Sequence, residues 1–515
     1  MTPRRRPKPP RERAVSLDRY RSFVADWPAF MEAAERPEPQ VFRVRTGRVS
    51  PEALRERLEA QGYRLRALEG QPAFFMVEDG PRPVSFGLEH WLGLLYVQQA
   101  STGVAAPALG ARPGERILDL CAAPGGKTTH TADLMGDRGA LVAVEVNDAR
   151  IRGLLGNTYR LGHPNVLVIE ADGRNLPEEA AFDRVLVDAP CSGEGTLRRR
   201  SGRPPNQSRR FLGYVAKVQD ALLRKAIRVT RPGGTILYVT CTFAPEENEA
   251  VVSRVLADEP VELEPLALPV SHAPGLTGFE GMHFDPRLEG AARIYPHHLD
   301  SGGLFLARLR RLDDGTWPAG GRSSSGGSSP SGSAWTPVPR VFPGDPMDPA
   351  EAERLVELGL DSVLGRFATD PERLEGMGWM ARGGRLWLQG ASEWPVEAWR
   401  PGAWRVVSSG LRAMEFDTLG RPRPTNDLLQ WLGESVREGG VDLSDAEIAE
   451  LCEGRPVPRE ERLGGLLALR WRGSVVGRGV TTRDGIRSEI SKAMASDLKG
   501  IVEGRGPVNR PPADD

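Results

Sequence analysis

Two cysteines each follow an apolar stretch that ends in a polar turn. Cys191 lies in VLVDAPCSGEG (185–195) and Cys241 lies in YVTCTFAPEENEAVV (238–252). Apolar runs of this length bounded by turn residues predict buried strands, and α/β proteins bind ligands at the carboxyl ends of such strands. A thiolate at that position is a nucleophile suited to covalent catalysis. The residues alone do not decide which of the two thiols attacks.

A glycine-containing loop, CAAPGGK (121–127), lies between an earlier predicted strand and a predicted helix. It lacks the GxxxxGK[ST] spacing, which argues against a nucleotide triphosphatase. Glu145, Asp172 and Asp188 end the next three predicted strands. One such acid could simply cap a helix, but three in succession fit a nucleoside with a ribose, an adenine amino group and a cationic neighbour. S-adenosylmethionine has these three features and is the predicted cofactor.

These groups together suit methyl transfer to C5 of a cytosine, an atom that is a poor nucleophile by itself. A thiolate that adds to C6 makes C5 enamine-like and able to attack a methyl sulfonium. An acid near N3, kept protonated or shared with the base, stabilises the adduct, and Asp188 is the candidate. A base must then remove the C5 proton so that the thiolate can leave.

The composition is that of a globular protein with two or three domains. The 515 residues are 39% hydrophobic and 27% charged, with a net charge of −1. No apolar run approaches the roughly 20 residues that span a bilayer, and the basic N-terminal segment has no apolar core, so we expect a cytoplasmic protein without a membrane partner. The four cysteines show no CxxC pairing. We therefore expect free thiols and no bound metal.

Predicted strands and helices alternate from residue 116 onward. This βαβα pattern predicts a mostly parallel, doubly wound sheet of the Rossmann-like α/β class. A Ser-Pro start and the helical spacing of Leu54 and Leu58 predict a small α/β module before it. The segment SSSGGSSPSGS (323–333) predicts a flexible linker. The predicted units are an N-terminal α/β module (17–100), a catalytic domain (101–311), a Gly/Ser-rich linker (312–340) and a C-terminal α+β domain (341–505).

A basic segment directly follows the Cys191 turn. TLRRRSGRPPNQSRR (196–210) holds six arginines and no acid. A charge run of this kind is often only a solvated loop. Its place beside the candidate site instead favours contact with phosphate groups, and we expect these arginines to face a nucleic acid.

Several separate motifs occur in the order found in one known family. They are LDLCAAPGGKTT (118–129), EVNDAR (145–150), ADGR (171–174), DAPCSGEGT (188–196), RPGGTILYVTCT (231–242), PEENEAVV (245–252) and IYPHHLDSGGLFLARLRR (294–311). With them the chain resembles the Sun (Nop/Sun) family of RNA 5-methylcytidine methyltransferases, and within it the bacterial RsmF-type 16S ribosomal RNA enzymes. The likeness covers nearly all of residues 17–311. Two C-terminal stretches, 410–427 and 470–480, are similar to the PUA-like RNA-binding end of that family.

The resemblance implies a role for each candidate residue. In that family the Thr-Cys thiol attacks C6 and the Pro-Cys thiol assists product release, which assigns attack to Cys241 and release to Cys191. Cytosine-5 DNA methyltransferases use the Pro-Cys thiol for attack, so the two classes make opposite assignments. Asp188 would hold the base, and Lys127 completes the predicted catalytic set. The predicted cofactor positions are Cys121, Ala122, Ala123, Pro124, Gly125, Gly126, Lys127, Glu145, Arg150, Asp172, Gly173 and Asp188.

The resemblance also implies an RNA partner, either ribosomal RNA or the small ribosomal subunit, and we expect the protein to be a monomer. A transfer RNA substrate would keep the same chemistry and stays open as an alternative. A third alternative is a non-catalytic RNA-binding or ribosome-assembly protein. It is disfavoured because both cysteines, the acid and the lysine of the predicted catalytic set are present.

Overall fold

The structure is a computed structural model that describes residues 16–178, 182–200, 208–315, 335–390, 393–395, 405–459 and 465–505. The basic N-terminal segment and most of the predicted linker lie outside these ranges. Within them, no helix is both long and apolar enough to cross a membrane.

The N-terminal part forms a small antiparallel sheet with helices packed on it. Its elements are α1 (Trp27–Glu35), β1 (Val41–Val44), α2 (Pro51–Glu59), β2 (Arg64–Leu68), β3 (Gln71–Asp79), α3 (Leu88–Trp91) and β4 (Leu95–Val97). The strands lie in the order β2-β3-β1-β4. The predicted Ser-Pro start begins α2, where the Ser50 hydroxyl accepts a hydrogen bond from Ala53 N at 3.1 Å. The segment before β1 packs elsewhere, since Tyr20 and Phe30 are buried in the core of the next domain.

The central domain is built on five parallel strands extended by antiparallel strands. Its elements are α4 (Ala105–Leu109), β5 (Arg116–Asp119), α5 (Gly126–Leu134), β6 (Ala140–Glu145), α6 (Asp148–Leu161), β7 (Val166–Glu170), β8 (Phe182–Asp188), α7 (Arg209–Val229), β9 (Thr230–Thr240), α8 (Glu249–Asp258), β10 (Val261–Glu264), β11 (Ala273–Pro274), β12 (Gly278–Phe279), β13 (Met282–His283), β14 (Ala292–Ile294), α9 (Pro296–Leu299) and β15 (Leu304–Arg311). The parallel strands lie in the order β9-β8-β5-β6-β7, with β15 antiparallel beside β9.

Both faces of this sheet are covered. Successive residues of one strand point to opposite faces of the sheet, so that Leu141 and Val142 of β6 pack into two separate apolar cores. A parallel strand between two helical layers is expected to be apolar on both faces in this way. The predicted doubly wound, Rossmann-like fold is confirmed, although only the five central strands are parallel and the antiparallel strands at both edges make the whole sheet mixed.

The order of the strands creates a crevice at their carboxyl ends. From β5 the chain runs outward to β6 and β7, and then returns to build β8 and β9 on the other side of β5. The direction therefore reverses between β5 and β8. Open α/β sheets bind their ligands at such a reversal, outside the carboxyl ends of the strands.

The C-terminal part contains two further four-stranded sheets. Its elements are β16 (Trp335–Pro337), α10 (Pro349–Asp361), β17 (Gly378–Arg382), β18 (Arg385–Gln389), β19 (Glu393–Pro395), β20 (Arg405–Ser409), β21 (Leu411–Phe416), β22 (Pro422–Pro424), α11 (Asn426–Leu432), β23 (Gly440–Leu443), α12 (Asp445–Cys452), β24 (Leu466–Trp471), β25 (Ser474–Thr482), β26 (Gly485–Ser488) and α13 (Lys492–Val502). The sheets have the orders β17-β18-β21-β22 and β23-β24-β25-β26.

The C-terminal part is attached to both preceding parts. Strand β20 pairs antiparallel with β7 and so becomes an edge strand of the central sheet. The β23–β26 sheet shares a core with the N-terminal sheet, in which Phe42 and Leu54 lie together with Leu469 and Trp471. The predicted linker therefore separates two parts of the sequence, but apolar cores and one sheet contain residues from both sides of it.

A cluster of buried charges lies where the three parts meet. The Arg45 side chain is 0% exposed and lies 2.5 Å from Asp133 Oδ1 and 2.6 Å from Asp137 Oδ1. Trp431 Nε1, from the C-terminal part, donates a hydrogen bond to Asp137 Oδ2 at 3.4 Å. Burial alone would raise the pKa of Asp137, but Arg45 outweighs it and holds that pKa below its usual value. The carboxylate therefore stays charged and paired inside the protein.

We expect Asp137→Ala to destabilise the protein by about 3 kcal/mol, because it leaves a buried guanidinium short of a partner. Chemical denaturation monitored by tryptophan fluorescence measures this loss. The control is Glu59→Ala, which breaks the exposed pair of Arg55 and Glu59 and should cost less than about 0.5 kcal/mol. Equal losses in the two variants would contradict a structural role for the cluster.

Candidate active site

The two predicted cysteines lie side by side at the carboxyl edge of the central sheet. Cys191 follows β8 and Cys241 follows β9, and these strands are parallel neighbours in which Asp188 pairs in register with Val239. The two sulfur atoms are 3.1 Å apart. The structure therefore brings together two groups that are 50 residues apart in the chain.

The two thiols differ in how readily they ionise. A hydrogen bond from the Cys191 thiol and the positive charge of Lys127 lower the pKa of Cys241, against the opposing effect of burial. The same sulfur–sulfur hydrogen bond, together with burial, raises the pKa of Cys191 well above its ordinary value. Cys241 is therefore the thiol of the pair that ionises more readily. Because the thiolate is the reactive form of cysteine, this geometry favours Cys241 as the nucleophile.

An ion pair crosses the crevice beside the thiols. Lys127, in the first turn of α5, lies with Nζ 2.7 Å from Oδ2 of Asp188 at the end of β8. Burial would lower the pKa of Lys127, but Asp188 outweighs it and the pKa is raised. Asp188 is thus held as the partner of a charged ammonium group, and the pair can share a proton with a ring nitrogen placed beside it.

Two residues that the sequence did not single out, Glu247 and Gln219, hold the Cys191 turn. Glu247 Oε2 accepts hydrogen bonds from Ser192 N at 2.9 Å and from Gln219 Nε2 at 2.8 Å. Gln219 Nε2 also lies 2.9 Å from Pro190 O, so the residues on both sides of Cys191 are tied down. Burial raises the pKa of Glu247 to about 7. The PEENEAVV motif contains Glu247, but nothing in the sequence connects it with Ser192 or Gln219.

The turn after Cys191 is braced by the N-terminal segment. Tyr20 Oη donates to Glu194 Oε2 at 2.7 Å, and Thr242 Oγ1 donates to the same oxygen at 3.1 Å. Gly195 N donates to Cys241 O at 2.8 Å. A Cβ at Gly195 would lie 2.8 Å from that carbonyl oxygen, so only glycine allows the two turns to approach this closely. Tyr20 lies too far away in the chain for sequence reasoning to have found it.

The predicted cofactor loop, residues 121–127, joins β5 to α5. Its two alanines are buried and its proline is exposed. Gly125 has a φ of +108°, which glycine adopts without strain, and α5 begins at Gly126 without a capping side chain. The amide groups of that first turn are therefore available to an electron-rich ligand. Arg150 donates a hydrogen bond to Ala123 O and so connects the loop to α6.

Glu145 supplies a buried acceptor at the end of β6. Its Oε1 accepts hydrogen bonds from Val146 N at 3.0 Å and Asn147 N at 2.9 Å. Its Oε2 is buried and lies 3.0 Å from Nη1 of Arg150, yet it accepts no hydrogen bond from the described residues. A buried carboxylate oxygen with this spare capacity fits the ribose hydroxyl of a nucleoside.

The other predicted cofactor residues lie along the same edge. Asp172 follows β7, and both of its oxygens accept hydrogen bonds from Arg174. Gly173 is buried, and a Cβ there would lie 2.9 Å from Leu120 O, so this turn packs against the end of β5. Burial raises the pKa of Cys121 well above its usual value, which makes it an unreactive thiol. The donor set as a whole fits a nucleoside cofactor in the crevice.

Asp119 is a further buried acid that the sequence did not single out. It ends β5, is 1% exposed and accepts a hydrogen bond from Thr128 Oγ1 at 2.7 Å. Burial raises its pKa to about 7. It binds the start of α5 to the strand before it, and so positions the loop that carries Lys127.

The arginines after the Cys191 turn have several different environments. The expectation of phosphate contact is wrong for Arg198, which is 4% exposed and bonded to Asp300 and to the carbonyl groups of Arg36 and Pro37. Arg199 lies 3.5 Å from Glu38. Part of the segment, 201–207, lies outside the described residues. An arginine can bind a phosphate group or can join two loops of the protein, as Arg198 does, and both roles use the same long charged side chain. The sequence therefore does not show which of the two roles an arginine has.

The chain is similar in sequence and in structure to known methyltransferases. The family described as 16S rRNA methyltransferase RsmB/F matches residues 106–310. A methyltransferase homolog from Pyrococcus horikoshii is 34% identical, with a TM-score of 0.53, over 57% of this chain and 94% of its own. The ribosomal RNA small subunit methyltransferase F of Erwinia tasmaniensis is 36% identical over 55% of this chain and 59% of its own length. By this match, residues 106–310 belong to the RsmB/F methyltransferase family.

This result confirms the family that the sequence motifs predicted. A second relative with the same name, from Vibrio atlanticus, is 28% identical over 95% of this chain and 98% of its own length. The chain spans only part of the first four curated relatives that it matches, namely 37%, 39%, 59% and 49% of their lengths.

In the described ranges, no group of three or more histidine, cysteine or acidic side chains is placed to hold a metal ion.

The hydrogen bond with Cys191 is the largest cause that lowers the pKa of Cys241. In Cys191→Ala we expect the alkylation rate of Cys241 by iodoacetamide at neutral pH to fall on the order of tenfold, because loss of the donor raises the pKa of Cys241 and leaves less thiolate. Peptide mass spectrometry of the labelled full-length protein measures this rate.

The control for this experiment is Cys452→Ala. Cys452 ends α12 in the C-terminal part, and burial raises its pKa to about 11. Its removal should leave the labelling of Cys241 unchanged. A faster reaction of Cys241 in Cys191→Ala would show that the hydrogen bond acts in the opposite direction.

Proposed function

We propose that the protein methylates C5 of a cytidine in ribosomal RNA, with 16S RNA as the substrate, through a covalent bond between Cys241 and C6 of the base. The observation that carries the proposal is the pair of thiols 3.1 Å apart, in which Cys241 has the lowered pKa. The family description and the names of the bacterial relatives support the choice of small-subunit RNA. We expect the protein to act as a cytoplasmic monomer.

We infer that S-adenosylmethionine is the cofactor. When bound, it supplies an electrophilic methyl group. The spare Oε2 of Glu145 is suited to a ribose hydroxyl, and the uncapped start of α5 with the 121–127 loop is suited to the remaining polar groups. Asp172, Gly173 and Arg150 complete the edge that would hold the nucleoside.

The protein side chains would act on the base in two stages. The Cys241 thiolate forms a bond to C6, and the charge that develops on the ring is balanced by a proton shared with the ion pair of Lys127 and Asp188. After C5 is methylated, a base takes the C5 proton, the C6–S bond breaks and its electron pair returns to Cys241. Cys191, in contact with that sulfur, assists this release. The target base must be unpaired or flipped out to enter the crevice.

A trapping experiment separates the two thiols. The full-length protein is incubated with S-adenosylmethionine and undermethylated small ribosomal subunits, and adducts are detected by denaturing gel electrophoresis. We expect Cys191→Ala to accumulate a denaturation-resistant protein–RNA adduct, because release is impaired after the bond to C6 has formed. We expect Cys241→Ala to form none and to lose methylation by a factor of at least about 1,000, as removal of a covalent nucleophile does.

Cys452→Ala is the matched control and should methylate like the wild type without accumulating adduct. An adduct in Cys241→Ala would reverse the assignment of the two thiols. Mapping of the modified base in the wild-type product identifies the RNA, and modification of transfer RNA alone would overturn the choice of substrate.

A further inference from the structure

Helix α7 has two different faces. Its inner face packs on the central sheet and is apolar except for one glutamine; its buried residues are Leu212, Val215, Ala216, Gln219, Leu222, Leu223, Ala226, Ile227 and Val229. The outer face of its first turns instead carries Arg210, Phe211, Tyr214 and Lys217, all of them exposed. We call these four residues the α7 stacking surface. Arg210, Tyr214 and Lys217 are spaced i, i+4 and i+7 and so form one stripe on the helix.

The aromatic side chains of this surface are unusually exposed. Tyr214 is 65% exposed and Phe211 is 42% exposed, and no other aromatic residue in the described ranges is among the exposed large hydrophobic side chains. Exposed aromatic rings next to positive charge are the usual means of binding single-stranded nucleic acid, because every base can stack on a ring.

The charges around the rings are positive and in part unpaired. Neither Arg210 nor Lys217 has an ion-pair partner among the described residues, while Arg209 is 74% exposed and lies 3.1 Å from Glu280. The surface therefore presents two cations that no acid of the described chain neutralises. Such groups suit the phosphates on either side of stacked bases.

The surface lies close to the candidate active site. Gln219, five residues after Tyr214, donates to Pro190 O at 2.9 Å and so contacts the residue before Cys191. Five residues of α-helix extend about 7.5 Å along the axis, and Tyr214 lies on the outer face, across the roughly 10 Å width of the helix from Gln219. Helix α7 also packs against the turn Gly173–Asn175, in which Arg174 is the partner of Asp172. The ring therefore lies on the helix that holds the Cys191 turn, and RNA that continues from a base held beside Cys191 would pass around this helix to reach it.

We propose that the α7 stacking surface binds the unpaired nucleotides next to the target cytidine, with bases stacked on Tyr214 and Phe211 and phosphates bound by Arg210 and Lys217. This inference rests on the proposed function, because a base that enters the crevice must leave its helix and its neighbours lose their stacking partners. The surface would replace that lost stacking and so hold the RNA open at the site.

Fluorescence anisotropy tests the proposal with the full-length protein and a labelled 20-nucleotide single-stranded RNA of mixed sequence. We expect Tyr214→Ala to raise Kd at least about fivefold and Tyr214→Phe to restore binding, because stacking needs the ring and not the hydroxyl. Lys217→Ala should lower the slope of log K against log salt by about 0.7, the value for one phosphate on a single strand.

The matched control is Leu419→Ala, which removes the most exposed large hydrophobic side chain (73% exposed) from the C-terminal part and should leave Kd unchanged. Binding of S-adenosylmethionine, measured by calorimetry, should also be unchanged in Tyr214→Ala. A loss of cofactor affinity with intact RNA binding would make Tyr214 part of the cofactor pocket and overturn the proposal.

Two further outcomes separate this proposal from the proposed function. If the wild type binds and methylates RNA while Tyr214→Ala binds equally well, the surface has no part in RNA binding and only this inference fails. If the wild type methylates no RNA and Cys191→Ala traps none, while Tyr214→Ala still weakens RNA binding, the proposed function fails and the binding surface stands. Weaker binding of Tyr214→Ala to assembled small subunits, with unchanged binding to naked RNA, would assign the surface to a protein partner and overturn the proposal.

Discussion

The site depends on the contact between the sulfur atoms of Cys191 and Cys241. The two sulfur atoms are 3.1 Å apart, which requires the turns after two neighbouring strands to be held at a fixed separation. The register of β8 and β9 brings them to the same level, and the close approach at Gly195 sets how near they come. Without that contact, only Lys127 would oppose the effect of burial, which raises the pKa of Cys241 and makes its thiol less reactive.

The elements that hold this contact come from distant parts of the chain. Glu247, Gln219 and the Tyr20–Glu194 hydrogen bond fix the backbone on both sides of Cys191. The central sheet that carries these turns is in turn joined to the C-terminal part by β20 and to the N-terminal sheet by the buried Arg45 cluster. A buried salt bridge is not by itself a source of stability, but breaking it leaves an unpaired charge in the interior, which is costly. The cluster therefore favours the one arrangement of the three parts in which its charges are paired.

The features that the sequence predicted are those with a local signature. Strands and helices alternate along the chain over short stretches, so the parallel strands could be predicted from the pattern of apolar residues. The predicted acids and cysteines each follow a strand, which indicates the edge of the sheet where the candidate site lies. The residues that were missed act at long range. Tyr20 meets Glu194 across 174 positions and Gln219 meets Glu247 across 28, and neither side chain differs in local sequence from an ordinary core residue. The pairing of β20 with β7 was unpredictable for the same reason, because an edge strand carries no sign of its partner.

The assignment of the two thiols shows what structure adds to motif. The residues alone leave attack open to either cysteine, and two classes of cytosine-5 methyltransferase make opposite choices. The charges around the two sulfur atoms differ, however: Glu247 opposes the ionisation of both thiols, whereas Lys127 lowers the pKa of Cys241. Cys241 is therefore the thiol that ionises more readily. In the proposed mechanism, the choice of Cys241 as the nucleophile then follows from Lys127, the lysine of the cofactor loop, whose charge acts on that thiol.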